Sequence, residues 1–195
     1  MKFKKLMAAV TTGVLAVTSL SLSGLIGSAE VQELMNDTFE SGYGAWKGVG
    51  SSLSLSTEQA HNGGTSLYCY DRTANWGAPR CSLTGIVAAG QSYEISASAM
   101  YEGSGQQNMA IKMIYTDANG TDHYDQVAAA QATAGQWVEI KGNYTVPSGA
   151  TDMILYVEMP DANTDQTYYI DDVVIKGEKT EIQLDDKFES DFDNN

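Results

Sequence analysis

The chain has 195 residues, 43% of them hydrophobic, which is enough for one ordinary domain with a core and hardly enough for two. Asp and Glu number 25 against 11 Lys and Arg, so the formal net charge is −14. Nucleic acid and anionic membranes both attract basic surfaces, and this charge therefore excludes both from the expected partners.

The first 29 residues have the pattern of an export signal. Three lysines within the first five residues precede an apolar stretch at 6–25, and Gly27-Ser28-Ala29 supplies the small residues that signal peptidase recognises. We predict a bacterial signal peptide at 1–29, cleaved after Ala29, and a secreted, extracellular protein. A retained membrane anchor is the alternative. Residues 30–35 are then a short lead-in to the folded domain.

The two cysteines, Cys69 and Cys81, are close in sequence. Outside the cell a disulfide between them could persist, and it would contribute about 3 kcal/mol in the chain-entropy model. Two separately buried thiols are the alternative. Metal binding by this pair is not indicated, because the spacing is wrong for zinc and the two histidines lie in unrelated segments.

Residues 36–177 are predicted to form the folded domain, in which short strand patterns alternate with turn residues. The predicted strands are 51–56, 65–70, 93–101, 109–115, 137–146, 153–158 and 168–175. Turns are indicated at 61–64, 117–120 and 147–150, and only the alanine-rich segment 127–134 could be helical. Many short strands with Gly-rich turns predict an all-β protein, a jelly-roll β-sandwich.

Residues 178–195 are acidic and almost without core-forming side chains, which predicts a linker. Within them, Asp186-Lys187-Phe188-Glu189-Ser190 echoes Asp37-Thr38-Phe39-Glu40-Ser41. A second module could begin here, and a chance resemblance within an acidic tail is the alternative.

The sequence offers no catalytic arrangement. A glycosidase needs two facing carboxylates, about 5–5.5 Å apart in retaining enzymes and about 6.5–9.5 Å apart in inverting ones. Among the glutamates, only Glu158 lies in a strand with an aromatic residue on its own face. His61 lies in a turn and His123 in a polar hairpin, without a nucleophile motif. We therefore expect no active site in this chain.

Aromatic residues with a polar group are the informative feature, because the chain has 11 Tyr and 3 Trp against 4 Phe. In the strand 153–158, alternation places Tyr156 and Glu158 on the face opposite Met153, Leu155 and Val157. If the latter face is core, Tyr156 and Glu158 stand side by side on an exposed sheet face. A flat ring beside a carboxylate suits a sugar, and contact with a second sheet is the alternative.

Three further aromatic side chains differ in their expected environment. Trp76 lies in a loop of Gly, Asn and Pro without apolar periodicity, which favours an exposed ring. A lid over one end of the sandwich is the alternative. Trp137 and Tyr93 each begin a strand pattern and are predicted to lie in the core.

Several segments, in order, resemble family 22 carbohydrate-binding modules, which are attached to bacterial xylanases and belong to the wider 4/9/22 group. The matching segments cover about residues 36–177 and are 37–40, 60–67, 72–77, 93–97, 137–147, 155–158 and 169–172. The resemblance implies a jelly roll with a concave groove that holds a single xylan chain. In this family one Trp and two Tyr form the sugar platforms, and a Glu binds the ligand. The resemblance matches these positions to Trp76, Tyr124, Tyr156 and Glu158. Tyr115 is the alternative to Tyr124.

The family also implies a basic side chain in the groove and a structural calcium ion. Where the family often has Arg after the first-strand Trp, this chain has Lys47, which lacks the planar fork of Arg. The calcium ligands would include Glu40 and Asp171, with Asp172 as the alternative to Asp171.

The expected function is therefore a secreted, non-catalytic module that binds xylan or mixed-linkage β-glucan. It would be a monomer that directs an attached or neighbouring glycoside hydrolase to plant cell-wall polysaccharide. Two alternatives remain: the N-terminal fragment of an endo-1,4-β-xylanase, and a calcium-binding surface or adhesion β-sandwich. The net charge predicts that chains with acidic side groups bind less well than neutral ones.

Overall fold

The structure, a computed structural model, describes residues 30–178. The predicted signal peptide at 1–29 and the repeated motif at 186–190 lie outside the described residues. Within 30–178 the chain forms eleven β-strands, and no helix there is long and apolar enough to cross a membrane.

The strands follow one another with short turns. They are β1 (Val31–Asp37), β2 (Trp46–Val49), β3 (Ser52–Ser56), β4 (Ser66–Tyr70), β5 (Ala78–Ser82), β6 (Ser92–Glu102), β7 (Gln106–Thr116), β8 (Asp122–Thr133), β9 (Val138–Thr145), β10 (Thr151–Glu158) and β11 (Thr167–Glu178). The segment predicted as a lead-in, 30–35, supplies most of β1.

Two antiparallel sheets pack face to face, which confirms the predicted β-sandwich. The six-stranded sheet has the order β3-β4-β11-β6-β9, with β1 also paired to β11. The five-stranded sheet has the order β2-β5-β10-β7-β8. β11 is central to the first sheet, because β6 pairs along one side of it while β4 and β1 share the other side.

The core lies between the sheets and follows the alternation of each strand. In β10, Met153, Leu155 and Val157 point into it, as the sequence predicts. Tyr93 is also buried there, and its hydroxyl accepts a hydrogen bond from the Ala88 N–H. The prediction for Trp137 is wrong: its ring is only partly buried and lies against the His61 ring at the surface, 5.6 Å between centroids.

The alanine-rich segment 127–134 is not helical. Nearly all of it belongs to β8, which pairs with β7 along its length except at Val127. Alanine has the highest helix propensity of all residues, but propensity differs by well under about 1 kcal/mol per residue between ordinary residues. Pairing with a neighbouring strand outweighs it, although the register shifts once, at Val127.

The predicted disulfide is absent from the structure, in which Cys69 and Cys81 are free, buried thiols. Cys69 belongs to β4 of the six-stranded sheet and Cys81 to β5 of the five-stranded sheet, so each enters the core from a different side. Burial raises the pKa of both thiols, to about 11 for Cys81, which disfavours the reactive thiolate.

Candidate functional site

The outer face of the five-stranded sheet carries a groove of about 280 Å³. Alternation in β10 turns Tyr156 and Glu158 away from the core and toward this face. The groove is lined by Asn75, Trp76, Lys112, Tyr124, Tyr156, Glu158 and Pro160. All four residues matched to the family's sugar-binding positions, from three separate parts of the chain, therefore lie around one depression.

The lining residues differ in depth. Trp76 and Tyr124 are 50% and 60% exposed, so their rings form the rim. Tyr156 and Glu158 are only 3% and 2% exposed, which differs from the exposed pair predicted from the sequence. They form the floor because side chains from other segments cover them.

Arg80 is one of these covering side chains. Its guanidinium carbon lies 5.2 Å from the centre of the Tyr156 ring and 5.8 Å from the Trp76 ring. Both distances are within the range of cation–π attraction. Sequence analysis missed Arg80, although its position in β5, opposite Tyr156 on β10, places both side chains on one face.

Lys112 and Glu158 form an ion pair on the floor. Lys112 Nζ lies 2.5 Å from Glu158 Oε1, so the two charged groups are in direct contact. The pair leaves a carboxylate and an ammonium group at the groove that can accept and donate hydrogen bonds. Burial first, and then the Glu158 charge, raise the pKa of Tyr156 to about 12, so its hydroxyl stays protonated at neutral pH.

The loop that carries Trp76 is fixed by Arg72. This buried guanidinium donates hydrogen bonds to the carbonyl oxygens of Asn75 and Gly77 in the Trp76 loop, and to those of Met159 and Asn163 after β10. One side chain thus joins the two loops beside the groove.

Gly50 provides the seat for the Trp76 ring. Its φ is +64°, and a Cβ at this position would lie 2.7 Å from the ring. Only glycine meets both requirements, so the ring packs against bare backbone.

Lys47 lies next to the groove and not among its lining residues. It is exposed on β2, directly opposite Arg80 on β5, and its side chain therefore shares the groove face. The alternative platform, Tyr115, lies in the core and stacks on His123 at 4.9 Å between ring centres.

Glu40 and Asp171, the predicted calcium ligands, hold the same turn. Glu40 Oε1 accepts hydrogen bonds from the N–H groups of Gly64 and Thr65. Asp171 Oδ2 accepts them from His61 and Asn62 at the other end of the turn. The two carboxylates are thus brought to one turn of the six-stranded sheet.

Glu40 and Asp171 supply the kind of oxygen ligand that calcium binds, but two carboxylates do not by themselves make a calcium site. Asp171 is fully buried, burial raises its pKa, and no cationic side chain of the described residues pairs with it. No group of three or more His, Cys, Asp and Glu within 30–178 is arranged for a metal. Carbonyl oxygens of the turn would have to complete a site, and calcium accepts such ligands. Asp172 instead contacts His61 Nδ1 at 2.6 Å.

These features define a β-sandwich with an aromatic groove on one sheet, and comparison with known proteins identifies its class. A family model described as "Carbohydrate binding domain" matches residues 31–167. The chain therefore belongs to the carbohydrate-binding domains. Within this class its similarity is to the family 22 modules.

Solved structures show the similarity to family 22. The chain is 32% identical to a structure described as the xylan-binding domain from CBM 22, with a TM-score of 0.70, covering 77% of this chain and 97% of that one. The same identity, TM-score and coverage hold for the CBM22-1 xylan-binding domain of Paenibacillus barcinonensis Xyn10C.

Among curated proteins the matches are to parts of larger enzymes. The chain is 36% identical to an endo-1,4-beta-xylanase A of Thermotoga neapolitana, over 75% of this chain and 14% of the enzyme. It is 32% identical to a xylanase/beta-glucanase of Ruminococcus flavefaciens, over 77% of this chain and 19% of the enzyme. The chain thus spans less than a fifth of these relatives and corresponds to a non-catalytic module.

Proposed function

We propose that this chain binds a single β-1,4-linked chain of xylan, or of mixed-linkage β-glucan, in the groove of the five-stranded sheet. The observation that carries the proposal is the convergence of Trp76, Tyr124, Tyr156 and Glu158 on one open groove. Exposed rings suit the apolar faces of sugar units, and buried polar groups suit their hydroxyls.

Trp76 and Tyr124 act as the platforms, and Tyr156 supports the sugar from the floor. Glu158 and Lys112 exchange hydrogen bonds with hydroxyl groups, and Lys47 contributes at the edge of the groove. Few platforms and an open groove imply weak binding, on the order of 10 μM to 1 mM for oligosaccharides.

The biological role that we propose is to concentrate a glycoside hydrolase, most simply a xylanase, on plant cell-wall polysaccharide. The support is that the matched relatives are several times longer than this chain and are named as xylanases. The protein acts outside the cell, as the sequence of 1–29 predicts, and a calcium ion held by Glu40 and Asp171 stabilises the fold.

Affinity electrophoresis tests the proposal. We expect xylan in the gel to retard the wild-type chain, and Trp76→Ala or Tyr124→Ala to weaken binding by at least about tenfold, which is about 1.4 kcal/mol. Melting temperatures should hardly change, because both rings are at least half exposed.

Tyr43→Ala is the matched control, because Tyr43 is also partly exposed and does not line the groove. Equal retardation of all four proteins would refute the groove assignment. A reducing-sugar assay on the same xylan addresses the enzymatic alternative, since turnover above that of buffer would contradict a pure binding role.

A further inference from the structure

Positive charge is concentrated at the groove of an otherwise acidic molecule. The segment 30–178 contains six basic residues and 19 acidic ones. Three of the six, Lys47, Arg80 and Lys112, lie on the outer face of the five-stranded sheet, and a fourth, Arg72, fixes the loop of Trp76. Glu158 and Asp122 lie on the same face, so this surface is close to neutral although the segment as a whole is strongly acidic.

The three cations form a single row across four strands. Lys47 on β2 lies opposite Arg80 on β5, Arg80 lies opposite Tyr156 on β10, and Tyr156 lies opposite Lys112 on β7. Side chains directly opposed in an antiparallel pair share one face, with Cβ atoms about 5 Å apart. The row therefore crosses the floor of the groove at Lys112 and Tyr156, and continues beyond the lining residues with Arg80 and then Lys47.

The two ends of this row differ in their charge balance. Lys112 is neutralised by Glu158. Neither Lys47 nor Arg80 forms an ion pair with any residue of 30–178, and Arg80 Nε is buried without a hydrogen-bond partner there. Like charges directly opposed on neighbouring strands destabilise a sheet. A bound anionic ligand would remove this repulsion, which none of the 19 acidic side chains of the same segment does.

We propose that Lys47 and Arg80 bind the carboxylate of a uronic acid side group on the β-1,4-linked chain that occupies the groove. This inference rests on the proposed function and specifies its substrate class. Arg80 is held against the rings of Trp76 and Tyr156, which orders its guanidinium at the border of the groove, where a side group of the sugar chain would lie. Lys47 supplies a second charge on a flexible side chain.

The proposal reverses the expectation from net charge. Charges more than about 8–10 Å apart are largely screened at physiological ionic strength, so a carboxylate at the groove responds mainly to the cations beside it. The local pair therefore outweighs the acidic residues on the remaining surface.

Isothermal titration of the full chain, with two forms of one polymer, tests the proposal. The first polymer is a xylan that carries glucuronic acid, and the second is the same xylan after its carboxyl groups are reduced to alcohols. We expect about three- to fivefold tighter binding of the acidic form at about 0.15 M salt, in line with exposed charge pairs. This preference should disappear in about 0.5 M salt.

Substitutions then locate the preference. Lys47→Gln should bring the ratio of the two affinities close to one, and Lys47→Arg should preserve the ratio. Lys176→Gln is the matched control, because it removes an exposed lysine from the other sheet and should leave the ratio unchanged.

The outcomes separate this inference from the proposed function. Equal or weaker binding of the acidic form at about 0.15 M salt, with the reduced form still bound, would overturn the inference alone. So would an equal loss of preference in Lys176→Gln and Lys47→Gln, since that would indicate an effect of total charge. Absence of binding to both polymers would overturn the proposed function together with the inference.

Discussion

At the scale of single residues, Tyr156 has two roles, and its position in the sequence alone does not reveal both. It lines the groove, and it also packs with Ala78, Ile114 and Ile154 in a small apolar cluster on the outer face of the sheet. Its ring is covered further by Arg80. A side chain so placed supports the sheet as well as the ligand.

Replacement of Tyr156 by Ala should therefore destabilise the fold, in contrast to replacement of the two rim residues. We expect the free energy of unfolding to fall by about 3 kcal/mol, because the substitution leaves a cavity where an aromatic ring was packed. For a domain of this size the melting temperature would fall by about 10 °C, as measured by calorimetry.

Tyr156→Phe is the control, since it keeps the ring and removes only the hydroxyl. Its melting temperature should stay within a few degrees of the wild type. An unchanged melting temperature in Tyr156→Ala would show that packing of the ring does not contribute to the stability of the fold.

At the scale of elements, the hairpin between β7 and β8 places Tyr124 on the rim. Its turn follows the sequence prediction, with hydrogen bonds from the Gly120 N–H to the Asp117 carbonyl and from the Asp117 N–H to the Thr121 carbonyl. The Asp117 side chain reinforces the turn. It contacts His123 Nε2 at 3.0 Å and accepts hydrogen bonds from the N–H groups of Asn119 and Thr121.

These contacts make the hairpin sensitive to acid. The hydrogen bond with His123 first, and then those from the backbone, lower the pKa of Asp117 from 3.8 to about 2. A carboxylate whose pKa is lowered by folding stabilises the native state above its ordinary pKa. This contribution is lost as the pH falls from about 4 to about 2.

Asp117→Asn should accordingly reduce stability at neutral pH and flatten its decline between about pH 4 and pH 2, measured by urea unfolding at each pH. Asp122→Asn is the comparison, because it removes a carboxylate of the same hairpin that has no histidine partner. A decline in Asp117→Asn as steep as in the wild type would contradict the role assigned to Asp117.

The same scale shows what sequence patterns can predict and where they fail. The alternation in 153–158 correctly separates the core face from the groove face, because strand side chains alternate regardless of their neighbours. Depth is not predictable in this way: Tyr156 is covered by Arg80, which lies 76 positions earlier in the chain.

The row of cations could not be predicted for a related reason. Lys47, Arg80 and Lys112 meet only because the sheet has the order β2-β5-β10-β7, and no local pattern encodes that order. The alanine-rich segment of β8 is a further case, since its environment in the sheet overrides its local preference. The resemblance to family 22 was sufficient to predict the platform residues. The row of cations could be recognised only from the three-dimensional arrangement of the strands.

At the scale of the whole molecule, the proposed calcium ion should change stability measurably. If the ion binds at the turn held by Glu40 and Asp171, calcium at about one hundred times its dissociation constant should add about 2.7 kcal/mol. The melting temperature would rise by about 5–10 °C, and a chelator should reverse the rise.

Glu40→Gln should reduce this rise, because the amide oxygen can still accept the N–H groups of Gly64 and Thr65 while the charge is lost. Magnesium at the same concentration controls for ionic strength. Identical melting curves with calcium and with chelator would exclude a structural calcium ion.

The central place of β11 has a consequence for biosynthesis. This strand is the last to be translated in the described domain, yet β1, β4 and β6 all pair with it. Until residue 178 has left the ribosome, the six-stranded sheet lacks its middle and these strands expose unpaired edges, which are prone to pair with other chains. The match to the family model ends at residue 167, where β11 begins. A recombinant fragment that ends there would lack β11, and we expect it to aggregate through the strands left unpaired.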